Sequence, residues 1–191
     1  MARLHRGARE RADAAGQVSV GNLDGTAKRI DPATNLVTAN VRLPSGASTL
    51  LPVGNLIWIG LQNGSIVSLD PRTGALSGAA IKVAPDVDAL VSTPNGLWAS
   101  TFGGTAALVD IGARRVLRRV RLPGRGSGIA YAGGRVWVTI YDARYVLAVD
   151  PLKGTFLAAV HAGVQPRDLL VVDSTLWVCD QLAGALVPVT P

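Results

Sequence analysis

Along most of this chain, short runs of alternating apolar and polar residues are broken by turn formers. From Trp58 to Gly74 the order is WIGL, QNG, SIVSLD and DPRTG, which reads strand, turn, strand, turn. GALSGAAIKV and DVDALVST continue as two further strands, and PNG closes the second. In DPRTG the Pro presets φ, the Asp side chain accepts nearby backbone N–H groups, and the Gly takes the left-handed position. Strands of about 4–8 residues between regular turn signals predict an all-β fold. Beyond the N-terminus, no window sustains apolar residues at helical spacing.

The pattern recurs. Trp58, Trp98, Trp137 and Trp177 stand 40, 39 and 40 residues apart in matching contexts, LIWIG, GLWAS, RVWVT and TLWVCD. A further step of 40 back reaches Val18, which is expected to fill the same slot. Asp31, Asp70, Asp110 and Asp150 keep the same time. Four short strands per period of about 40 residues predict a β-propeller of four-stranded antiparallel blades. The repeats cover residues 17–191, in four to five copies beginning near 18, 58, 98, 137 and 177. Each tryptophan is expected on a middle strand, where an indole buries roughly 150–250 Å² between neighbouring blades.

The count is awkward for a closed ring. Read from the tryptophans, the first unit lacks its inner strand and the last its outer one. The alternatives are an open arc, half of a paired assembly, a piece of a larger propeller, or a strained small ring. In an arc, the terminal blades expose Val18, Val20 and Ile30 at one end and Trp177, Leu186 and Val187 at the other. A protein partner or self-association is then expected to cover them.

Residues 1–16 read as a basic tail outside the repeats, with Arg3, Arg6, Arg9 and Arg11 on a short helix or without fixed structure. The tail has no apolar core of a signal peptide, which places the chain in the cytoplasm by default. No apolar stretch reaches the roughly 18 residues of a membrane-spanning helix. Cys179 is the single cysteine and is expected to be a small buried hydrophobe. The net charge of +6 concentrates in ARRVLRRVRLPGR, which holds Arg114, Arg115, Arg118, Arg119, Arg121 and Arg125. This segment falls in an outermost strand, where charge discourages edge-to-edge pairing. An anionic partner is the alternative. No aromatic residue interleaves the arginines, so a platform for single-stranded nucleic acid is not supported.

VSVGNLDGTAKRIDPATNLV and RVWVTIYDARYVLAVDPLKG resemble the YVTN-type β-propeller repeat and the related repeats of virginiamycin B lyase-like proteins. The resemblance runs over residues 17–191 and implies a propeller scaffold, usually of about seven blades. Lyase repeats of that type place His at the start of the inner strand. The matching positions here are Ser48, Val87 or Asp88, Ser127 and Arg167, and the histidines are only His5 and His161. Glu10 is the sole glutamate. LDPRTGALSG also resembles a pyrroloquinoline-quinone-enzyme repeat, but Leu76, Ser77 and Gly78 stand where that repeat runs on to its Trp. No catalytic, metal or cofactor residue is assigned, and no cofactor is expected. Two readings follow: a non-catalytic interaction or sensor module, or a lyase- or hydrolase-like enzyme or small-ligand binder using a central funnel. Asp86, Asp88, Ser127, Arg167 and Asp168 are the funnel candidates.

Overall fold

The structure, a computed structural model, describes residues 8–14 and 16–190. They form nineteen β-strands in five antiparallel sheets. Sheet 1 contains β1 (Ala8–Ala14), β2 (Gln17–Asn22), β3 (Thr26–Asp31) and β4 (Leu36–Arg42). Sheet 2 contains β5 (Ala47–Val53), β6 (Leu56–Leu61), β7 (Ser65–Leu69) and β8 (Leu76–Lys82). Sheet 3 contains β9 (Val87–Thr93), β10 (Gly96–Thr101), β11 (Thr105–Asp110) and β12 (Arg115–Arg121). Sheet 4 contains β13 (Gly126–Ala132), β14 (Arg135–Ile140), β15 (Tyr145–Val149) and β16 (Phe156–His161). Sheet 5 contains β17 (Pro166–Val172), β18 (Thr175–Asp180) and β19 (Ala185–Val189). Each sheet is a simple meander in chain order. The chain divides into two compact units between Val87 and Asp88.

Within the second unit, alternation along the middle strands buries both faces. Val136, Val138 and Ile140 of β14 join Trp98 of β10 in one core between sheets 3 and 4. Trp137, on the opposite face of β14, packs with Leu176 and Val178 of β18. Trp98 and Trp137 therefore point forward, each toward the next sheet. Trp98 also donates its indole N–H to the carbonyl of Pro151, in the Asp-Pro turn of sheet 4, at 3.2 Å. In the first unit, Ile57 and Ile59 of β6 pack with Ala27 of β3 and Val41 of β4.

The Asp turns repeat in atomic detail. Asp70 Oδ1 accepts the N–H of Arg72 at 2.7 Å, and Asp150 Oδ1 accepts those of Leu152 and Lys153 at 2.8 and 2.7 Å. These bonds hold both carboxyls below the usual range. Four residues after each Asp the backbone is left-handed, at Asn35, Gly74, Arg114 and Gly154. Glycine relieves that position in two copies, and Asn and Arg adopt it in the others.

Four sequence expectations change. The repeats begin before residue 17, because Ala8–Ala14 pairs antiparallel with β2 and supplies the first strand of sheet 1. Its alanines and charged residues lack the bulky apolar alternation that marks the other strands; Arg3 and Arg6 lie outside the described residues. Val18 is not the counterpart of Trp58. Val18 pairs with Ile30 as Ile57 pairs with Leu69, which puts Ser19 in the tryptophan slot. Ser19 is buried and its hydroxyl has no hydrogen-bond partner among the described residues. Trp177 is only half-buried, unlike the other three tryptophans, and Cys179 on the same face is half-buried too. Leu170, paired with Trp177, and Leu186 are 63% and 65% exposed on that face. Finally, Val20 is buried, and Val187 packs against the core shared with sheet 4.

Asp180 ties the end of β18 to the loop before β17. Its Oδ2 accepts the N–H of Val164 at 2.6 Å, and its Oδ1 accepts those of Gln165, Leu182 and Ala183, each at 3.1 Å. Gly163 is left-handed, and a Cβ there would lie 2.2 Å from Asp180 Oδ2, so the loop can close on the carboxylate only with glycine.

Two measurements check this account. Trp137→Ala is expected to lower stability by about 3–5 kcal/mol in chemical denaturation, and Trp177→Ala by clearly less. The second concerns Asp180, whose carboxyl is held below 3.8 chiefly by the N–H of Val164 and then of Ala183. A lowered native value gives stability that is complete above the unfolded value and lost as pH falls through the native one. Asp180→Asn should therefore be less stable than wild type at neutral pH. The gap between their thermal midpoints should close as pH falls below about 5.

Candidate functional site

The site grows from the starts of three strands, β9, β13 and β17. Gly128 lets β13 and β17 approach closely, since a Cβ there would lie 2.7 Å from the carbonyl oxygen of Arg167 and from Asp168 Cα. Buried hydroxyls from the preceding sheets hold the backbone in place. Ser100 of β10 donates to the carbonyl of Ser127, and Thr139 of β14 donates to that of Arg167 at 2.9 Å. Both hydroxyls sit two residues after a tryptophan, so the repeat that builds the core also positions the site.

Of the funnel candidates, Asp88, Ser127 and Arg167 come together at these strand starts. Ser127 Oγ donates to Asp88 Oδ2 at 2.6 Å, and Arg167 Nη2 lies 3.5 Å from Asp88 Oδ1. The two ion-pair side chains are 23% and 18% exposed, so water screens the pair only partly. Asp168, the next residue along β17, keeps access to solvent. Partial desolvation raises its pKa above the usual carboxylate range; the positive charge of Arg167 opposes this, and the negative charge of Asp88 adds to it. Asp86 belongs to the first unit, with left-handed backbone and its N–H bonded to the Gln62 carbonyl at 3.1 Å. Of the other inner-strand positions, Val87 is fully buried and Ser48 half-buried.

Sequence reasoning missed the aromatic half of the site. Phe102 and Tyr141 lie at the ends of β10 and β14, their ring centroids 5.2 Å apart and their planes inclined at 55°. The Arg167 guanidinium stands 5.7 Å from the Phe102 centroid and 5.6 Å from that of Tyr141. Arg125 lies over Phe102 at 5.2 Å. Each such contact stabilises by about 0.5–1 kcal/mol where exposed, and more where desolvated. The signal was present in the period: four residues after each tryptophan stand Gln62, Phe102, Tyr141 and Gln181, so two adjacent copies carry an aromatic. Arg125 is further fixed by its backbone, its carbonyl accepting the Tyr141 N–H at 2.8 Å and its N–H donating to Asp142 Oδ1 at 3.0 Å.

Chemically, this is a layered cation–aromatic platform beside a hydroxyl–carboxylate pair. His161 lies away from it in sequence and strand order, exposed on the edge strand β16. Among the described residues, no group of three or more His, Cys, Asp or Glu side chains is arranged to hold a metal. No helix there is long and apolar enough to cross a membrane, which says nothing of strand-built barrels.

No family model matches this sequence, and no curated protein matches it. Solved structures do resemble it. BamB from Moraxella catarrhalis superposes with a TM-score of 0.79 at 17% identity, over 96% of this chain and 57% of BamB. A computationally designed protein, Ika8, gives 0.77 at 21% identity, over 95% of this chain and 57% of its own. The WD40 β-propeller domain of Doa1 gives 0.74 at 15% identity, over 88% and 58%. The fold is a β-propeller fold. This chain spans just under three fifths of the length of each of these structures.

The raised pKa of Asp168 has a definite sign. A native value above the unfolded one means that the ionised carboxylate costs stability at neutral pH, a cost that disappears as pH falls through the native value. Asp168→Asn is expected to raise the thermal midpoint at pH 7 and to match wild type at acidic pH, as followed by circular dichroism.

Proposed function

We propose that this chain is a non-catalytic interaction module of the YVTN and virginiamycin B lyase-like kind, contacting a protein partner through the strand ends that carry Arg125, Phe102, Tyr141 and Arg167. The observation that carries this reading is the stacking of two guanidiniums on one aromatic pair at solvent-accessible strand ends. Arginine and aromatic residues are the types that dominate binding energy at protein interfaces, because they combine broad contact area with directional hydrogen bonding. The platform is also preorganised: Gly128, Thr139 and Asp88 fix Arg167 before any partner arrives. The resemblance of BamB and the WD40 domain of Doa1 in fold supports a scaffold role and carries no partner with it.

The alternative is an enzyme or small-ligand binder built on the same residues, with Asp168 as its carboxylic acid. The raised pKa of Asp168 is the observation that favours it, since acid–base residues are tuned in this way. A photoreactive phenylalanine analogue at position 102 separates the two readings. In cells that express the chain natively, it is expected to capture a discrete protein partner, with the adduct lost on Arg167→Ala and retained in a Leu36→Ala control. No adduct above that control would count against the interaction reading. Ring opening of a cyclic depsipeptide seen by mass spectrometry, lost on Asp168→Asn, would replace it with the enzymatic one.

A further inference from the structure

The edge of sheet 3 carries more positive charge than edge protection requires. β12 holds Arg115, Arg118, Arg119 and Arg121 within seven residues. The corresponding edge strands β4 and β8 have one cation each, Arg42 and Lys82, and β16 has no Lys or Arg. Those strands show that a single charge, or none, suffices at this position of the fold, so the four arginines of β12 need a further explanation.

Alternation sorts the β12 side chains. A bulge at Leu117 resets the order, because Arg118 pairs with Leu108 but Val116 with Val109, so Arg115, Arg118 and Val120 share the face toward sheet 4; Val120 packs on the core there, and Arg118 Nε donates to the carbonyl of Leu152 at 3.0 Å. Arg119 and Arg121 share the other face with Val116, and both are exposed, as are Arg115 and Leu117. β12 is the outermost strand of its sheet, pairing only with β11. An open pocket of about 210 Å³ lies beyond its last residue, and its walls include Gly103, Gly104, Arg121, Leu122, Arg125 and Asp142. Arg121 and Arg125 have no ion-pair partner among the described residues. This volume falls below the roughly 300–1,000 Å³ of typical small-molecule sites, and suits a single side chain.

We propose that β12 receives an extended acidic segment of a partner protein as an added strand, with one acidic side chain of that segment seated in the pocket between Arg121 and Arg125. The edge supplies backbone donors and acceptors for the main chain of the partner, and alternate side-chain positions supply specificity. Side chains on one face of a strand repeat at about 6.6–6.8 Å, so acids at every second position of the added strand meet Arg119 and Arg121 in register. Leu117, 46% exposed at the bulge, offers an apolar contact beside them. Nucleic acid fits less well. No aromatic side chain on β12 offers a stacking surface, and Asp142 in the pocket wall repels a phosphate more than a single carboxylate. The proposal rests on the interaction-module reading but uses a surface whose variants leave Arg167 and Phe102 untouched.

Fluorescence anisotropy with a labelled peptide of alternating Glu and Val tests it on the full chain at low salt. Saturable binding is expected, and Arg119→Glu combined with Arg121→Glu should weaken it by about tenfold or more. Asp142→Asn should tighten it, and Arg167→Ala should leave it within about twofold. An alternating Lys–Val peptide should not bind. Absence of saturable binding would overturn the proposal, as would equal binding of a peptide with its Glu residues in one block. Tighter binding of a labelled oligothymidylate, weakened by the same arginine variants, would reassign the surface to nucleic acid. Loss of peptide binding with the position-102 adduct intact would fault this inference alone; loss of both would fault the interaction reading beneath it.

Discussion

Burial of middle strands on both faces is the constraint on which the rest of the structure depends. β14 shows it most fully: Val136, Trp137, Val138 and Ile140 are all at or below 1% exposure, although alternate residues point to opposite sides of the sheet. A strand of this kind has no solvent face, so sheet 4 needs sheet 3 against one side and sheet 5 against the other. The hydrophobic term is therefore collected between sheets, while backbone hydrogen bonds are satisfied within them. The same stacking brings the starts of β9, β13 and β17 together and so assembles Asp88, Ser127 and Arg167 from positions that are 39 and 40 residues apart.

The strands, the period and part of the site were legible in the sequence because each rests on a local rule. Asp70 and Asp150 mark their turns through hydrogen bonds to residues two or three positions away, which is within reach of pattern reading. Trp58, Trp98 and Trp137 mark buried positions because few residues other than core ones repeat at such large volume. β1 was illegible for the opposite reason. ARERADA has the charge of a tail, and its strand character comes from pairing with β2, a partner that no local rule names. Ser19 was misplaced because a single small residue in a tryptophan slot carries no signal, and only the pairing of Val18 with Ile30 fixes the phase. Phe102 and Tyr141 join Arg167 through contacts between sheets, which composition does not reveal.

Charge in this molecule is divided by task. Acidic groups at the Asp turns and at Asp180 accept backbone N–H groups and so act as internal fasteners. Arginines, by contrast, collect at strand ends and at the edge of sheet 3, where they face water or aromatic rings. Arginine suits those places because its guanidinium is weakly hydrated, planar and always charged, so it can lie on a ring and still bond a carboxylate. Asp88 is the point where the two sets meet, bonded to a hydroxyl on one oxygen and facing a guanidinium on the other.

The phase between repeat and sheet has a consequence for heredity. The segment from one tryptophan strand to the next contributes the last three strands of one sheet and the first strand of the following one. A gene segment of one period, copied or deleted in frame, therefore never adds or removes an isolated sheet. It splices a new first strand onto old neighbours, and every junction is closed by hydrogen bonds to a sheet that was already there. Descendants of such a gene can differ in the number of sheets without needing a single new turn, since the turn at every junction is one the chain already encodes.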